Sequence, residues 1–168
     1  INKLRITGGE PLLRKDLPQL LGRLLQVPGI EDIAMSTNGV LLPRDAEALR
    51  EAGLRRVTVS LDSTDPASFQ VMSGDRGALD AVLEGIDSAR AAGFEAVKIN
   101  AVIERGRNED QVLPLAQLFR ERGCTLRFIE YMDVGTRNRW RPEDVVTSRE
   151  IRETIPARWP LAPESPGY

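Results

Sequence analysis

Histidine is absent from this sequence, and cysteine occurs only once, at position 124. Without histidine, the chain lacks the side chain that most often acts as a general base or a metal ligand near neutral pH. A single cysteine cannot form an internal disulfide, so a reducing, cytoplasmic setting is the simplest expectation. We expect Cys124, at the start of a predicted strand, to be a small core residue and not a ligand.

Lysine is also scarce, because three lysines stand beside twenty arginines, and the formal net charge is −2. That balance lacks the basic excess of most nucleic-acid-binding proteins. No apolar run reaches the ~18 residues that a membrane-spanning helix needs. No charged and then apolar signal segment opens the chain. The composition therefore predicts neither a nucleic-acid-binding protein nor a membrane protein.

The chain has 168 residues, enough for one domain with a hydrophobic core. A strand-like run follows Ile1 at once, without an initiator methionine. Towards the other end, residues 147–168 predict only a short helix to about Thr154 and then a proline-rich tail. We therefore expect a piece of a longer protein, in which residues 1–146 form a core and residues 147–168 lead to a further segment.

Short β-branched runs alternate with longer amphipathic runs along the chain. The predicted strands are residues 2–7, 30–36, 55–62, 96–103 and 125–132, and the predicted helices are residues 16–26, 44–52, 77–92 and 108–122. Asp16 and Asn108 are the predicted N-caps of two of these helices, and Thr147 or Ser148 that of the short last one. Repeated β–α units predict parallel strands with helices outside, either in an open doubly wound sheet or in a barrel.

The predicted strands are polar on one face and apolar on the other, because side chains alternate along a strand. The polar set is Lys3, Arg5, Ser60, Lys98 and Asn100, and the apolar set is Ile6, Val59, Ile99 and Ala101. Helices would cover the apolar face, so the polar face would line a lumen. Unpaired cations in such a lumen need an anion or water as a partner. An open sheet with one solvated face is the alternative.

Turn-forming loops follow four of the predicted strands, at residues 8–11, 36–39, 62–65 and 133–135. Each loop alone is a weak signal, since Gly-Gly and Asn-Gly pairs are common in turns. Ligands of α/β folds bind at the carboxyl ends of the strands. Together the loops therefore predict a ligand site above the polar lumen.

Several motifs in fixed order carry a family resemblance. They are Arg5-Ile-Thr-Gly-Gly-Glu-Pro-Leu-Leu-Arg14, Met35-Ser-Thr-Asn-Gly39, Val59-Ser-Leu-Asp-Ser63, Val97-Lys-Ile-Asn-Ala101 and Arg127-Phe-Ile-Glu-Tyr-Met-Asp-Val-Gly135. The first resembles the segment with which radical S-adenosylmethionine (SAM) enzymes hold the methionine part of SAM. The whole set, up to about Trp140, resembles the GTP 3′,8-cyclase family, which begins molybdenum-cofactor (molybdopterin) biosynthesis.

This resemblance implies a fold and a set of contacts. The implied fold is α/β, an incomplete (β/α)6 barrel of the triosephosphate-isomerase (TIM) type, with about five parallel strands present here. The implied SAM contacts are Gly8, Gly9, Glu10, Ser60 and Met132, and the implied GTP contacts are Lys3, Arg5, Ser36 and Lys98. No residue of this chain is assigned a catalytic role.

The resemblance also implies a lyase reaction. SAM is cleaved reductively to a 5′-deoxyadenosyl radical, which takes a hydrogen from the ribose of GTP. The sugar carbon then bonds to guanine C8, giving (8S)-3′,8-cyclo-7,8-dihydroguanosine 5′-triphosphate. The implied partners are GTP and a downstream cyclic pyranopterin synthase enzyme, and a homodimer is compatible with the family.

Two [4Fe–4S] clusters belong to the full-length enzymes of this family. Their cysteine groups would lie upstream and downstream of this sequence, and Cys124 matches neither. A cluster needs about three or four thiolates, so we expect this chain to ligate no metal and to be inactive alone.

Three alternative functions stay open. One is another radical SAM enzyme, such as a peptide-modifying one. The second is an aldolase-like barrel that uses Lys98 as a Schiff-base lysine. The third is a non-catalytic binding module.

Overall fold

The computed structural model describes residues 1–74, 77–135 and 140–163. Within them five strands form one sheet: β1 Lys3–Ile6, β2 Asp32–Thr37, β3 Arg56–Ser60, β4 Ala96–Ile103 and β5 Thr125–Glu130. The strands lie side by side in sequence order, and every neighbouring pair is parallel. The prediction of about five parallel strands is therefore confirmed.

Six α-helices are present in the described residues: α1 Leu17–Leu25, α2 Leu42–Glu51, α3 Pro66–Ser73, α4 Leu79–Ala91, α5 Val112–Glu121 and α6 Ser148–Thr154. Short 3₁₀ turns lie at Pro11–Leu13, Glu109–Gln111, Pro142–Asp144 and Ile155–Ala157. All the predicted helices are found within a few residues of their expected bounds, but α3 was not predicted. None of the helices described is both long enough and apolar enough to cross a lipid bilayer.

The strand order separates the two predicted architectures. A doubly wound sheet reverses its strand order at a switch point. Here every crossover moves one strand further in the same direction, from β1 to β5. Crossovers of one hand then place all the intervening helices on the same side of the sheet. This is the arrangement of a (β/α) barrel, so the doubly wound alternative is wrong.

The core lies between the apolar face of the sheet and the helices. Along β4 every second residue is buried, from Val97 to Ile103. Met35 on β2 and Val59 on β3 share this side and are fully buried, as is Leu49 on α2. Each such side chain contributes about 1.5–3 kcal/mol by leaving water. Burial on this side of the sheet leaves the other face available for polar residues.

Two glycines allow α4 to pack closely against the turn that follows β2. Gly39 has a φ of +84°, which disfavours any other residue there. A Cβ atom on Gly85 of α4 would overlap the carbonyl oxygen of Gly39. The turn at the carboxyl end of β2 is therefore held directly by the helix layer.

Asp16, Asn108 and Thr147 all occupy N-cap positions, as predicted, but only the Thr147 side chain makes a capping hydrogen bond. Asp16 occupies the N-cap position of α1 but makes no capping hydrogen bond, because its carboxylate pairs with Arg14 at 2.9 Å. Asn108 is fully buried and caps no helix with its side chain. Thr147 caps α6 in a reciprocal capping box with Glu150.

Candidate functional site

The polar side chains on the side of the sheet away from the helices form one surface, called here the polar sheet face. Its members are Lys3, Arg5, Ser36, Thr58, Ser60, Lys98, Asn100 and Arg127. In the strand register Ser36 is opposite Thr58, and Thr58 is opposite Lys98. The alternation predicted from sequence is clearest on β4, where Lys98 and Asn100 fall between the buried Val97, Ile99 and Ala101.

The polar sheet face is open to solvent, whereas the sequence predicted a lumen. Lys3, Arg5 and Ser60 are exposed, and Lys98 and Asn100 are half-buried. The reason is that, in the part of the chain that the structure describes, the five strands do not close into a ring: β1 pairs with β2 alone and β5 with β4 alone. A ligand on this face would therefore contact strand side chains directly.

Arg5 is held in place by two hydroxyl groups on neighbouring strands. Its Nη1 donates to Ser36 Oγ at 3.1 Å and to Thr58 Oγ1 at 3.2 Å. Thr58 is buried, with 6% of its surface exposed, and sequence reasoning did not assign it. A guanidinium has five N–H donors, so Arg5 keeps other donors for a ligand while its orientation is fixed by β2 and β3.

Three further cations on the polar sheet face have no partner among the described residues. Within residues 1–74, 77–135 and 140–163, the side chains of Lys3, Lys98 and Arg127 make no hydrogen bond or ion pair. Arg56, by contrast, is neutralised by Asp32 on β2 through an ion pair that includes a 3.3 Å contact from Nε. The face is therefore strongly positive and complementary to a polyanion.

Arg127 is a candidate site residue to which the sequence analysis assigns no role. It lies opposite Asn100 in the register between β4 and β5. The alternation along β5 could have revealed it, since Arg127 falls two residues after Thr125 and is exposed like it.

The loop after β1 presents its backbone to solvent. A Cβ atom added to Gly8 or to Gly9 would have no atom within 4 Å, so a ligand can approach this backbone closely. The carboxylate of the next residue, Glu10, accepts hydrogen bonds from Leu12 N at 3.1 Å, Thr37 Oγ1 at 2.6 Å and Asn38 N at 2.7 Å. Glu10 therefore joins the first two strand-end loops.

Ser60 and Asn100 are neighbours at the carboxyl end of the polar sheet face. The Oδ1 atom of Asn100 is buried and has no hydrogen-bond partner. An orphaned buried acceptor is costly, so this position suits a donor group supplied by a ligand. The exposed Ser60 hydroxyl and the open Gly8-Gly9 backbone lie at the same end of the sheet and can contact polar groups of a ligand.

Asp62 joins β3 to β4 where their backbone pairing ends. Its Oδ1 accepts the N–H of Val102 at 2.7 Å. The buried amide of Asn108 completes this junction by donating to Asp62 O at 2.7 Å and Val102 O at 2.8 Å. Burial raises the pKa of Asp62 to about 6, and the Val102 N–H partly opposes that rise. Because the Asn108 amide makes these two bonds, its side chain makes no capping bond to a helix.

Met132 and Cys124 lie at opposite ends of β5. Met132 follows the carboxyl end, at the same end of the sheet as the other strand-end loops, and is 56% exposed. Cys124 precedes the strand and is half-buried, and burial raises the pKa of its thiol. Cys124 packs against the hydrophobic core as predicted.

The described residues do not fit an iron–sulfur cluster. No three cysteine, histidine or acidic side chains in that part of the chain come together as metal ligands. The sequence contains one thiol, Cys124, which lies at the amino end of β5, whereas the strand-end loops lie at the carboxyl ends of the strands. Any cluster near this site would need cysteines from outside the sequence.

Comparisons with known proteins agree with this geometry. A family model described as the radical SAM superfamily matches residues 1–119. A GTP 3′,8-cyclase of Xanthomonas campestris pv. campestris is 61% identical over 168 residues, which are 100% of this chain and 50% of that protein. A GTP 3′,8-cyclase of Acidothermus cellulolyticus is 52% identical and is matched over 100% of this chain and 46% of its own length.

The chain spans about half the length of the curated relatives that it matches. Among solved structures, a radical SAM methyltransferase from Sphaerobacter thermophilus is similar, with a TM-score of 0.69 and 18% identity. The similarity covers 90% of this chain and 46% of that one. At this identity the structural match supports the barrel-type fold alone.

Proposed function

Because this chain belongs to the radical SAM superfamily, we propose that it is the central, ligand-holding part of a GTP 3′,8-cyclase of molybdenum-cofactor biosynthesis. Two relatives of that name match over its whole length. The observation that carries the proposal is the group of four cations on the polar sheet face, Lys3, Arg5, Lys98 and Arg127, none of which forms an ion pair in the described part of the chain.

A nucleoside triphosphate suits this group of cations. Thr58 contacts Arg5 and lies opposite Lys98, so these two cations flank one position on β3. Arg127 extends the positive surface to β5. Charge-assisted hydrogen bonds to phosphate contribute about 1.5–3 kcal/mol each, so these residues can hold the triphosphate while Ser36 and Thr58 fix the Arg5 guanidinium.

SAM is proposed to bind at the carboxyl end of the same face. The Gly8-Gly9 backbone and the Glu10 carboxylate would hold its methionine part, with Ser60 and Met132 as further contacts. Bound SAM, with a cluster from outside this sequence, supplies the radical chemistry. The chain's own residues hold and orient the two ligands on adjacent parts of one sheet, because small errors in placement slow transfer strongly.

The expected product is (8S)-3′,8-cyclo-7,8-dihydroguanosine 5′-triphosphate, which the downstream cyclic pyranopterin synthase enzyme would consume. Two [4Fe–4S] clusters in the full-length protein and the inactivity of the isolated segment belong to the same proposal. We also propose that residues 147–168 connect the core to the region that binds the second cluster. Because the chain belongs to the radical SAM superfamily, we no longer favour an aldolase-like barrel in which Lys98 forms a Schiff base.

Lys98→Ala in the full-length, cluster-loaded protein tests the proposed substrate site. Lys98 has no protein partner in the described residues, so its loss should weaken GTP binding by roughly 10- to 150-fold without disturbing the fold. Calorimetric titration with GTP measures this change. Uncoupled formation of 5′-deoxyadenosine from SAM should continue, since Lys98 is not among the proposed SAM contacts.

Lys15→Ala is the matched control, because Lys15 is an exposed lysine between β1 and α1, off the polar sheet face. Its GTP affinity should equal that of the wild type. If Lys98→Ala binds GTP normally but no longer cleaves SAM, Lys98 belongs to the SAM site and the proposed division of the face is wrong.

A further inference from the structure

The loop after β1 and the turn after β2 stay connected beyond the end of their backbone pairing. The ladder between the two strands ends at Ile6 and Met35. Past that point Glu10 reaches across to β2, where its Oε1 accepts the Thr37 hydroxyl at 2.6 Å and its Oε2 accepts the Asn38 N–H at 2.7 Å. These short contacts replace the missing ladder bonds.

Thr37 lies on the helix-covered side of the sheet and not on the polar sheet face. It is opposite Val59 in the register and only 4% exposed, so it cannot contact a ligand bound on the polar side. Its hydroxyl has one proton, which is donated to Glu10, and it accepts the N–H of Gly39 at 3.1 Å. The only proton of the Thr37 hydroxyl is therefore used to hold Glu10.

The Glu10 carboxylate has room for one more donor. A carboxylate offers about four acceptor positions, and three of them are taken by Leu12 N, Thr37 Oγ1 and Asn38 N. Oε1 accepts two of these bonds and Oε2 accepts one. The remaining position on Oε2 suits an ammonium group, and its direction is fixed by the other three bonds.

We propose that Thr37 is a positioning residue for SAM, because its hydroxyl fixes the Glu10 carboxylate and, through it, the Gly8-Gly9 loop. This inference rests on the proposed function, since it concerns the site suggested there for the methionine part of SAM. Glu10 is the centre of this hydrogen-bonded junction, and its three bonds are present without a ligand.

The junction can be weakened without releasing the whole loop. The far end of the loop is held separately, because Arg44 Nη2 donates to the carbonyl oxygen of Leu12 at 3.1 Å. Thr37→Val keeps the volume and branching of the side chain and removes only the hydroxyl. Thr37→Ser keeps the hydroxyl and removes a methyl group, and it is the matched control.

The test uses the full-length, cluster-loaded protein with two measurements. In Thr37→Val the SAM dissociation constant should rise on the order of tenfold, while GTP affinity stays within about twofold (roughly 0.4 kcal/mol). Thr37→Ser should restore SAM affinity. Without SAM, amide hydrogen exchange of Leu12 and Asn38 should be faster in Thr37→Val than in Thr37→Ser. In a double-mutant cycle, Glu10→Gln and Thr37→Val should be less than additive.

Three outcomes would overturn the inference. Unchanged SAM affinity in Thr37→Val, with a loss in Glu10→Gln, would show that Glu10 acts without Thr37. Equal losses in Thr37→Val and Thr37→Ser would assign the effect to packing and not to the hydroxyl. A wild-type protein that loads its clusters but binds no SAM would refute the proposed function and this inference with it, and the wild-type titration alone identifies that case.

Discussion

Replacing Asp62 with asparagine should change how the stability of the protein depends on pH. Burial raises the pKa of Asp62 from 3.8 to about 6. A raised pKa means that the folded protein binds this proton more tightly than the unfolded chain does. The contribution of Asp62 to stability is therefore most favourable below about pH 4, and it is lost as the pH rises through about 6.

The size of the effect follows from the shift. The difference between 3.8 and about 6 is roughly two pH units, and each unit corresponds to about 1.4 kcal/mol. Ionised Asp62 thus costs the folded state about 3 kcal/mol. Asparagine has nearly the same shape, its Oδ1 can accept the Val102 N–H, and it does not ionise. The free energy of unfolding of Asp62→Asn relative to wild type should therefore rise by about 2 kcal/mol between pH 4 and pH 7, because Asp62 of the unfolded wild type is already more than half ionised at pH 4.

Urea unfolding of the cluster-free full-length protein, followed by the fluorescence of Trp140 and Trp159, measures this difference at each pH. Asp80→Asn is the matched control, because Asp80 is an exposed aspartate in the first turn of α4. That variant should show no comparable change. A stability difference for Asp62→Asn that is constant with pH, or that shrinks as the pH rises, would refute the assigned burial of the ionised carboxylate.

Three further predictions concern packing, capping and the thiol. Gly85→Ala should destabilise the protein by about 1–3 kcal/mol in urea unfolding, because its Cβ atom would overlap the Gly39 carbonyl oxygen. Gly22→Ala, in α1 with open space around it, should instead stabilise by about 0.5–1 kcal/mol, and the reverse order would contradict the packing of α4. Thr147→Ala should cost about 1 kcal/mol through the lost cap of α6, whereas an unchanged melting temperature would show that the cap is unimportant. Cys124→Ser should leave the iron content of the reconstituted full-length protein unchanged, and lost iron would make Cys124 a cluster ligand.

The barrel-type order of strands and helices was predictable because each β–α unit carries its own local signals. Hydrophobic periodicity predicts α4, and the alternation of side chains along the strands predicts the polar sheet face. The helix α3 was missed although Asp65 caps it and Pro66 occupies its first turn. Asp65 is the last residue of the loop predicted at residues 62–65, and Pro66 follows it directly, so the start signals of α3 coincide with the end of a predicted ligand-binding loop.

The contacts between strand ends were not predictable from local patterns. Glu10 and Thr37 are 27 residues apart, and Asp62 and Val102 are 40 residues apart. Such pairs depend on the register of the sheet, which single-strand alternation does not fix. The same limitation hid Thr58, since its contact with Arg5 requires β1, β2 and β3 to be aligned.

The most direct test of the central claim uses GTP with deuterium on one ribose carbon. That carbon is the one that would form the new bond to guanine C8. The full-length protein, with its clusters reconstituted anaerobically, would be incubated with SAM, a reductant and this GTP, and the products analysed by mass spectrometry. The proposed function predicts deuterium in 5′-deoxyadenosine together with a cyclised product isomeric with GTP. Deuterium-free 5′-deoxyadenosine and unaltered GTP would contradict it.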